Sequence, residues 1–490
     1  MIPMTDKVLN PEARARAVDH YREKGIALPT FAQMKDPSLI PDNVRARLKN
    51  LGLWDLDPMN LFRITWKNEP IERGGLYGDV NAMELPKELT GVDARIVVMI
   101  GKWFPTGAHK VGAAYGCLAP KLVSGEFDPS FHKAVWPSTG NYCRGGAFDS
   151  YLMDCTSIAI LPEEMSRERF EWLATVSGEI IATPGCESNV KEIYDMTWKL
   201  REDPKIRIAN QFEVMANYRF HYYVTGNSAA EAVAGLAAEG ICGADVKGFI
   251  SSMGSSGTIA AGDRLKQLHR DCKIVGLEPT QCPTIYSNGF GGHDIQGIGD
   301  KHVTWIHNVM NMDAIMCVDD VECKQGLQLL TDPVGQEYLA GRGGVPGDAV
   351  ETLSGIMGIS GVCNVLGAIK TAKYWGLGKK DTIVTVATDA IDRYHSVMKQ
   401  LDETYGAMDE IKAAVRHEHI FRGQKIDWIS EGSHAARNRW FNLKYYTWVE
   451  QQGKTVEELE AQRSQDWWVE HQERVAEVCK EQAERRAASV

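Results

Sequence analysis

The sequence lacks the features of a membrane, secreted or metal-binding protein. No apolar run approaches the roughly 18 residues that a membrane-spanning helix needs. The first residues, Met-Ile-Pro-Met-Thr-Asp-Lys, have neither the basic segment nor the apolar core of a secretory signal. The 11 cysteines include no Cys-x-x-Cys pair and no cluster with histidine at metal-ligand spacing. We therefore expect reduced thiols, no bound metal, no contact with membranes and a cytoplasmic location.

Basic patches, repeats and low-complexity segments are also lacking. The formal net charge of −11 argues against nucleic acid or an anionic membrane surface as the main partner. What remains is an ordinary globular composition, with 44% hydrophobic and 24% charged residues. A chain of 490 residues has room for two or three domains, each with a buried core.

Short apolar runs alternate with helical stretches from Arg95 onward. The runs are not amphipathic, which favours strands buried on both faces of a parallel sheet. Alternating strands and helices predict the α/β fold class, with helices covering mostly parallel sheets. One long helix is predicted over Ala349–Tyr374. The predicted strands are Arg95–Gly101, Ala134–Trp136, Ser157–Leu161, Glu179–Ala182, Gly248–Ile250, Lys273–Leu277, Ala314–Val318 and Thr382–Ala387.

The two ends of the chain differ from this middle part. Residues 1–60 are polar, with one helical stretch at Pro11–Lys24, and are interpreted as an N-terminal extension. After about residue 395 the strands are expected to stop, which makes residues 401–490 a charged, helical C-terminal extension. Thr455-Val-Glu-Glu458 has the spacing of a capping box and predicts the start of a last long helix. We expect this tail to pack against the core or a second subunit.

The first candidate for chemistry is Lys110, in the run Thr106-Gly-Ala-His-Lys-Val-Gly-Ala-Ala114. Small neighbours allow a large ligand to approach this lysine, and the preceding apolar strand indicates partial burial. A partly buried lysine loses its proton more readily and can condense with a carbonyl group. A solvated lysine in a loop is the alternative that this segment alone leaves open.

The second candidate is Gly254-Ser-Ser-Gly-Thr258, between a predicted strand and a helical stretch. Glycines at such a turn let several backbone N–H groups converge, and the helix dipole favours an anion, most often phosphate. The run lacks the Gly-x-Gly-x-x-Gly spacing of a dinucleotide fold, although Glu278 stands near the distance of a ribose-binding acid. It also lacks the Gly-Lys-Ser/Thr of a P-loop. A tight turn that binds nothing is the remaining alternative.

Three further glycine-bearing turns complete the set. Pro137-Ser-Thr-Gly-Asn-Tyr142 offers hydroxyl and N–H groups to a carboxylate, and Asn141 offers an amide to an oxygen on a bound ring. Ile295-Gln-Gly-Ile-Gly299 and Gly358-Ile-Ser-Gly361 are loops that can close over a ligand. Each of these turns, taken alone, is also typical of an ordinary capped turn.

Taken in order, a reactive lysine, a Ser-Thr-Gly-Asn turn and a glycine-rich phosphate turn resemble one enzyme family. These are the pyridoxal-phosphate (PLP) enzymes of the tryptophan-synthase-β fold type, in particular the cysteine synthase and cystathionine β-synthase group. The resemblance extends from about Gly101 to Tyr394. It implies PLP fold type II, with a large PLP-binding α/β domain of residues 61–105 and 216–400 and a small α/β domain of residues 106–215.

The resemblance also implies a role for each candidate residue. Lys110 carries the cofactor and moves the substrate's α-proton, and Asn141 hydrogen-bonds the cofactor's ring hydroxyl. The residues that bind the substrate carboxylate are Ser138, Thr139, Gly140 and Gln211. The residues that bind the cofactor phosphate are Gly254, Ser255, Ser256, Gly257 and Thr258.

The implied reaction is β-replacement on a small β-substituted L-amino acid through an aminoacrylate intermediate. The alternatives are β-elimination, as in a cysteine desulfhydrase or a serine/threonine dehydratase, and a non-catalytic PLP-binding partner. A nucleotide-binding oxidoreductase is a more distant alternative. A homodimer is implied by the same resemblance.

The chain departs from the family at several positions. Family members of this group usually place a serine against the cofactor's ring nitrogen, and here that position is Ala390. Asp389 or Thr388 is our hypothesis for this contact, and a turn cap is the alternative for Asp389. Arg144 follows the Ser-Thr-Gly-Asn turn and either recognises a second anionic group on the substrate or pairs with a local acid. Cys143 is interpreted as a buried, unreactive thiol.

Overall fold

The computed structural model describes residues 9–69, 75–138, 140–165, 167–185 and 189–474. Eleven strands lie within these ranges. They are β1 Ala82–Glu84, β2 Arg95–Ile100, β3 Lys133–Pro137, β4 Ser157–Pro162, β5 Glu179–Thr183, β6 Ile206–Ile208, β7 Val246–Ser252, β8 Lys273–Pro279, β9 Ala314–Val318, β10 Thr382–Ala387 and β11 Ile429–Glu431. Every strand predicted from the apolar runs is confirmed, and the short β1, β6 and β11 are additional.

The strands form two separate sheets. The seven-stranded sheet has the order β1-β2-β10-β7-β8-β9-β11, and the four-stranded sheet has the order β5-β4-β3-β6. Neighbours from β2 to β9 in the large sheet, and all neighbours in the small sheet, run parallel. Only the edge strands β1 and β11 pair antiparallel. The predicted α/β fold class with mostly parallel sheets is confirmed.

Helices are distributed along the whole described chain. Those before the small sheet are α1 Pro11–Lys24, α2 Phe31–Lys35, α3 Asp42–Leu48, α4 Lys87–Thr90 and α5 Lys110–Ser124. Those that follow, up to the strand β9, are α6 Asn141–Leu152, α7 Arg167–Leu173, α8 Val190–Leu200, α9 Met215–Phe220, α10 Gly226–Ala238, α11 Ala260–Leu268 and α12 Thr284–Ser287. The remainder are α13 Asp320–Thr331, α14 Pro333–Ala340, α15 Gly347–Ile356, α16 Ile359–Tyr374, α17 His395–Tyr405, α18 Glu410–Arg416, α19 His434–Asn442, α20 Lys444–Trp448 and α21 Val456–Ala461.

Both faces of the large sheet are buried. Met99 and Val384 belong to one hydrophobic core, whereas Val98 and Ile383 belong to another. Since successive side chains of a strand point to opposite faces, the two cores lie on the two sides of the sheet. This explains why the strand sequences are apolar throughout rather than alternating.

Small residues bring α5 and α6 close together. A Cβ atom added at Gly145 of α6 would lie 2.7 Å from the Cα atom of Val111 in α5. Lys110 and Asn141 are the first residues of these two helices. The close packing therefore fixes the two candidate residues relative to each other.

The predicted single helix Ala349–Tyr374 is wrong, because Gly358 breaks it into α15 and α16. Gly358 is extended, with φ −116° and ψ −179°. A Cβ atom there would lie 2.1 Å from Oδ1 of Asp389. The break therefore makes room for a buried carboxylate next to the candidate site.

The expectation that strands stop after about residue 395 is also wrong. Strand β11 pairs with β9, with Ser430 opposite Ile315. Its sequence, Ile-Ser-Glu, is too short and polar to give a strand pattern, so only its partner strand identifies it. The capping box of Thr455 and Glu458 is confirmed. The helix it opens is only Val456–Ala461, and a second helical stretch begins at residue 465, so the predicted last long helix is wrong.

The C-terminal segment packs against the core, as one of the two expectations stated. The fully buried Lys444 donates from Nζ to the carbonyl oxygens of Trp305 at 3.0 Å and His307 at 2.7 Å. Trp448 donates from Nε1 to the carbonyl oxygen of Val303 at 2.8 Å. The tail therefore holds the segment 303–307, which follows the predicted loop Ile295–Gly299.

The division into domains stays a prediction. It is supported by the placement of all four strands of the small sheet within residues 106–215. Strand β11 joins the large sheet from the region assigned to the C-terminal extension. Across the described ranges of the chain, no helix combines the length and the apolar character that crossing a membrane requires.

Candidate active site

One cavity gathers most of the predicted site residues. Its lining includes Lys110, Ser138, Gly140, Asn141, Gln211, Thr388 and the whole turn Gly254, Ser255, Ser256, Gly257 and Thr258. Asp389 is not in this lining, although it lies directly behind it. Thr139 was predicted to bind the substrate carboxylate and lies outside the described residues.

Lys110 reaches across the cavity to the glycine-rich turn. Its Nζ atom donates to Oγ of Ser255 at 2.9 Å and to Oε1 of Gln211 at 3.4 Å. The backbone before it is left-handed at Thr106, with φ 64°, and at Gly107, with φ 66°. This bend turns the chain from the short segment after β2 into α5 and places the amine inside the cavity.

His109, the residue before Lys110, is buried and neutral. Burial, followed by the charge of Lys110, lowers the pKa of His109 to about 3. Its Nε2 atom lies 3.0 Å from Oγ1 of Thr258, and its ring stacks on Trp66 at 5.4 Å. The lysine segment and the glycine-rich turn are thus joined by a second contact beside that of Lys110.

The turn Gly254–Thr258 connects β7 to α11 at the carboxyl edge of the large sheet. Ser256 is left-handed with φ 60°. A Cβ atom at Gly254 would lie 2.6 Å from the carbonyl oxygen of Gly297, and one at Gly257 would lie 2.1 Å from Oδ1 of Asn217. The glycines therefore allow the turn to sit tightly against its neighbours with its backbone facing the cavity, at the start of a helix.

The turn from Ser138 to Asn141 forms the opposite wall. Oγ of Ser138 accepts hydrogen bonds from the Gly140 N–H at 3.2 Å and from Nε2 of Gln211 at 3.1 Å. Gly140 precedes the first residue of α6. A hydroxyl, an amide and a helix N-terminus therefore converge on one point, as a carboxylate site needs.

A buried network supports this turn from behind. Nδ2 of Asn141 donates to Oδ2 of Asp389 at 2.7 Å, and the Tyr394 hydroxyl donates to the same oxygen at 2.8 Å. Arg393 Nη1 lies 3.9 Å from Oδ2 of Asp389. The carboxylate of Asp389 accepts from these two side chains and from no backbone N–H of the described residues, so it does not cap a turn.

The family's serine position has no counterpart in the cavity. Ala390 is buried, but it lines a separate cavity together with Trp54 and Gly107. Thr388 lines the candidate site, and so does Ser360, in the first turn of α16. The expectation that Gly358–Gly361 is a loop that can close over a ligand is wrong, because residues 359–361 begin this helix. The sequence did not single out Ser360.

The loop at 295–299 does face the cavity, as predicted. Gln296, Gly297 and Ile298 line it, and so does Asp300 one residue further on. Asp300 is the only carboxylate among the described lining residues. Sequence reasoning missed it because one aspartate after a glycine loop is typical of a surface turn; its position beside the predicted loop was the available signal.

Arg144 does not pair with a local acid within the described chain. Its guanidinium lies 4.4 Å from the ring centre of Trp172 and 5.5 Å from that of Trp54. Burial, then the nearby charges of Arg393 and Arg169, lower its pKa well below the usual value. Arg144 does not line the cavity, and nothing in the described structure supports contact with a second anionic group on a substrate. Cys143 is fully buried and donates to the Gly140 carbonyl oxygen at 3.0 Å, as expected of an unreactive thiol.

Comparison with known proteins assigns the family. A profile of the family described as "Pyridoxal-phosphate dependent enzyme" matches residues 90–389. A cysteine synthase of Staphylococcus aureus is 27% identical over 323 residues, covering 66% of this chain and 94% of that protein. A cystathionine beta-synthase of Saccharomyces cerevisiae is 26% identical over 246 residues, covering 48% of each chain.

Solved structures agree on the fold. A cysteine synthase of Entamoeba histolytica superposes with a TM-score of 0.56 at 20% identity, covering 69% of this chain and 92% of that one. A hydrogen sulfide-producing enzyme of Fusobacterium nucleatum superposes with a TM-score of 0.54 at 22% identity, covering 71% and 95%. These likenesses confirm the predicted fold type II. The chain belongs to the family of pyridoxal-phosphate dependent enzymes.

Proposed function

We propose that this enzyme catalyses β-replacement on a small β-substituted L-amino acid. The observation that carries the proposal is the position of Lys110, whose Nζ atom lies 2.9 Å from Oγ of Ser255 in the glycine-rich turn. Ser138, Gly140 and Asn141, from the turn that we expect to bind the substrate carboxylate, line the same cavity. The similarity to cysteine synthases supports this reaction type.

The residues of the cavity fit pyridoxal phosphate. The turn Gly254–Thr258 can stay closed only with glycine at Gly254 and Gly257, and it precedes a helix, which suits a phosphate. Oδ1 of Asn141 is buried without a hydrogen-bond partner among the described residues and can accept from the cofactor's ring hydroxyl. Thr388 is the candidate for the ring nitrogen. A hydroxyl there leaves the nitrogen without the full charge that a carboxylate would stabilise.

When bound, the cofactor withdraws electrons from the substrate's Cα, which acidifies the α-proton and lets the β-substituent leave. Lys110 would hold the cofactor covalently in the resting enzyme and, as a free amine, would take the α-proton. Ser138, Gln211 and the N–H groups at the start of α6 bind the α-carboxylate. Holding the carboxylate fixes the Cα–H bond in front of the amine, and this positioning is a large part of catalysis.

We propose that Asp300 transfers the proton at the β-carbon side of the substrate, as a general acid or base. A carboxylate in the cavity can take a proton from an incoming nucleophile or hold one for a departing group. The same carboxylate can activate water, and this favours β-elimination as the second candidate function. The two reactions share every other residue named for the cavity.

The experiment is a panel of β-substituted L-amino acids, incubated with the holoenzyme with and without sulfide, with products identified by mass. We expect a new β-substituted amino acid only when sulfide is present. A keto acid and ammonia formed equally in both conditions would instead show β-elimination. Lys110→Ala serves as the control and should form neither product.

The proposed location, oligomeric state and partners follow from the resemblance to the family and from the composition, not from the cavity. We propose a cytoplasmic homodimer that acts on a small amino acid and has no nucleic-acid or membrane partner. The acidic charge of −11 supports the last point. Measuring the molar mass of the holoenzyme in solution tests the dimer.

A further inference from the structure

Asp389 is an acidic residue directly behind the cavity lining. Its side chain is fully buried, and its Oδ2 atom accepts hydrogen bonds from Asn141 at 2.7 Å and Tyr394 at 2.8 Å. A buried carboxylate is costly unless it is hydrogen-bonded and balanced by a cation. Arg393, at 3.9 Å, supplies the positive charge.

This contact fixes which way the Asn141 amide points. An ionised carboxylate only accepts hydrogen bonds, so the amide must present its nitrogen to Asp389. Asn141 lines the cavity and Asp389 does not. The amide oxygen, which has no partner among the described residues, is thereby left for a ligand in the cavity.

Asp389 is also connected to the lysine segment. Arg393, beside it, donates from Nη1 to the carbonyl oxygen of Gly107 at 3.0 Å and from Nη2 to that of Thr106. These two residues form the left-handed bend before Lys110. One charged pair therefore supports both the amide of Asn141 and the segment that carries the amine.

The geometry is unsuited to direct contact with the ring nitrogen. Thr388 lines the cavity, whereas the Asp389 carboxylate is committed to Asn141 and Tyr394 behind it. Its other oxygen, Oδ1, faces Gly358, where an added Cβ would lie only 2.1 Å away. Of the two residues that the sequence left open for this contact, the structure favours Thr388.

We propose that Asp389 is a positioning residue, which fixes the amide of Asn141 toward the cofactor's ring hydroxyl and does not contact the ring nitrogen. The proposal rests on the proposed role of Asn141 in cofactor binding. It assigns Asp389 a task at a different atom of the ring from that of Thr388.

The test uses amine forms of the cofactor, because pyridoxamine 5′-phosphate cannot bond covalently to Lys110. Equilibrium binding to the apo-protein is measured for pyridoxamine 5′-phosphate, for an analogue without the ring hydroxyl and for an analogue with C–H in place of the ring nitrogen. The variants are Asp389→Asn and Asp389→Ala. Circular dichroism and melting curves establish that each variant is folded.

We expect Asp389→Ala, which removes both acceptor oxygens, to weaken binding of pyridoxamine 5′-phosphate by about tenfold to a hundredfold, the range for a hydrogen bond to a charged group. In this variant the ligands with and without the ring hydroxyl should bind equally tightly. The ratio of its affinities for the ligands with and without the ring nitrogen should stay at the wild-type value. Thr388→Val should do the reverse.

Two variants are matched controls. Tyr394→Phe removes the other hydrogen bond to Oδ2 of Asp389 and should leave both preferences unchanged, as should Asp392→Asn in the same segment. If Asp389→Ala loses the preference for the ring nitrogen, Asp389 contacts the nitrogen and the proposal is wrong. If it weakens all three ligands equally, or none, the role is structural or absent and the proposal is equally wrong. A wild-type protein that binds none of the three ligands contradicts the proposed function instead.

Discussion

At the scale of single residues, the candidate site is defined by neutral or paired polar groups around one amine. Lys110 is surrounded by the hydroxyl of Ser255 and the amide of Gln211, with the neutral His109 beside it in sequence. A neutral imidazole beside the lysine avoids a second buried positive charge. Such a charge would not weaken the binding of phosphate or carboxylate, but burying it would cost free energy. The sequence places His109 directly before Lys110 but does not indicate this reason.

Buried histidines give a prediction about pH. Burial lowers the pKa to about 3 for His109, His302, His307 and His471. In the unfolded chain they bind protons near pH 6.5, so stability falls as the pH drops below this value. Glu278 acts in the opposite direction, because burial raises its pKa to about 7 and its stabilising proton is gained on acidification. Burial also lowers the pKa of His132, His221, His293 and His417, and it raises the pKa of Asp149, Asp263 and Asp320. Since eight described histidines stand against four carboxyl groups, we expect the free energy of unfolding of the apo-protein to decrease from pH 7 to pH 5.

Urea unfolding of the apo-protein at several pH values measures this effect. Each proton of difference between the two states contributes about 1.4 kcal/mol per pH unit. His302→Gln removes one such group, and its pH dependence should be shallower by about that amount near pH 5. An unchanged slope in this variant would show that His302 is already protonated in the folded protein.

At the scale of elements, the contact between α5 and α6 controls the position of the amine. Gly145 of α6 meets the backbone of Val111, the residue after Lys110, at a distance that excludes a side chain. The sequence shows both segments as rich in small residues, but which glycine faces which backbone depends on how the two helices pack.

Gly145→Ala should therefore be destabilising. The new Cβ would lie 2.7 Å from the Val111 Cα atom, and a backbone atom cannot rotate away as a side chain can. We expect a loss of about 1–3 kcal/mol in the free energy of unfolding, together with lower turnover. The control is Gly235→Ala in α10, where nothing lies within 4 Å of the added atom. That substitution should leave stability unchanged or raise it by about 0.4–1 kcal/mol. Equal stabilities of the two variants in urea would contradict the packing described for α5 and α6.

The elements also show which parts of the fold could be predicted from the sequence. Long apolar strands such as β2 and β10 were predictable because burial on both faces leaves a continuous apolar run. The three-residue β11 was not, since its pairing with β9 depends on a distant part of the chain. The break between α15 and α16 was missed because only the tertiary neighbour Asp389 explains why Gly358 is extended.

At the scale of the whole molecule, the site is built from segments far apart in sequence. Lys110, Ser255 and Thr388 follow β2, β7 and β10 of the large sheet, whereas Asn141 follows β3 of the small sheet, so the cavity brings the carboxyl ends of strands from both sheets together. Most residues predicted from their own turns line the cavity, while Asp300 and Ser360 were identified only in the folded structure. Arg144 shows the converse, because proximity in sequence to Asn141 did not bring it into the cavity.

The C-terminal segment also contributes to the site from a distant part of the chain. Lys444 and Trp448 hold the backbone of residues 303–307, which follows the lining residue Asp300. This attachment explains why Trp448 is buried although it lies in the charged C-terminal extension. The tail therefore supports one wall of the cavity from outside.

The account depends on Lys110 holding the cofactor above the turn 254–258, and borohydride trapping tests this most directly. The holoenzyme is reduced, digested and analysed by mass. We predict that the cofactor is found on the peptide that contains Lys110. Substitution of Lys102, a nearby lysine outside the cavity lining, by alanine should give the same result. The Lys110→Ala variant should retain no covalent cofactor. Full trapping in Lys110→Ala, or attachment to another lysine in the unsubstituted protein, would contradict the account.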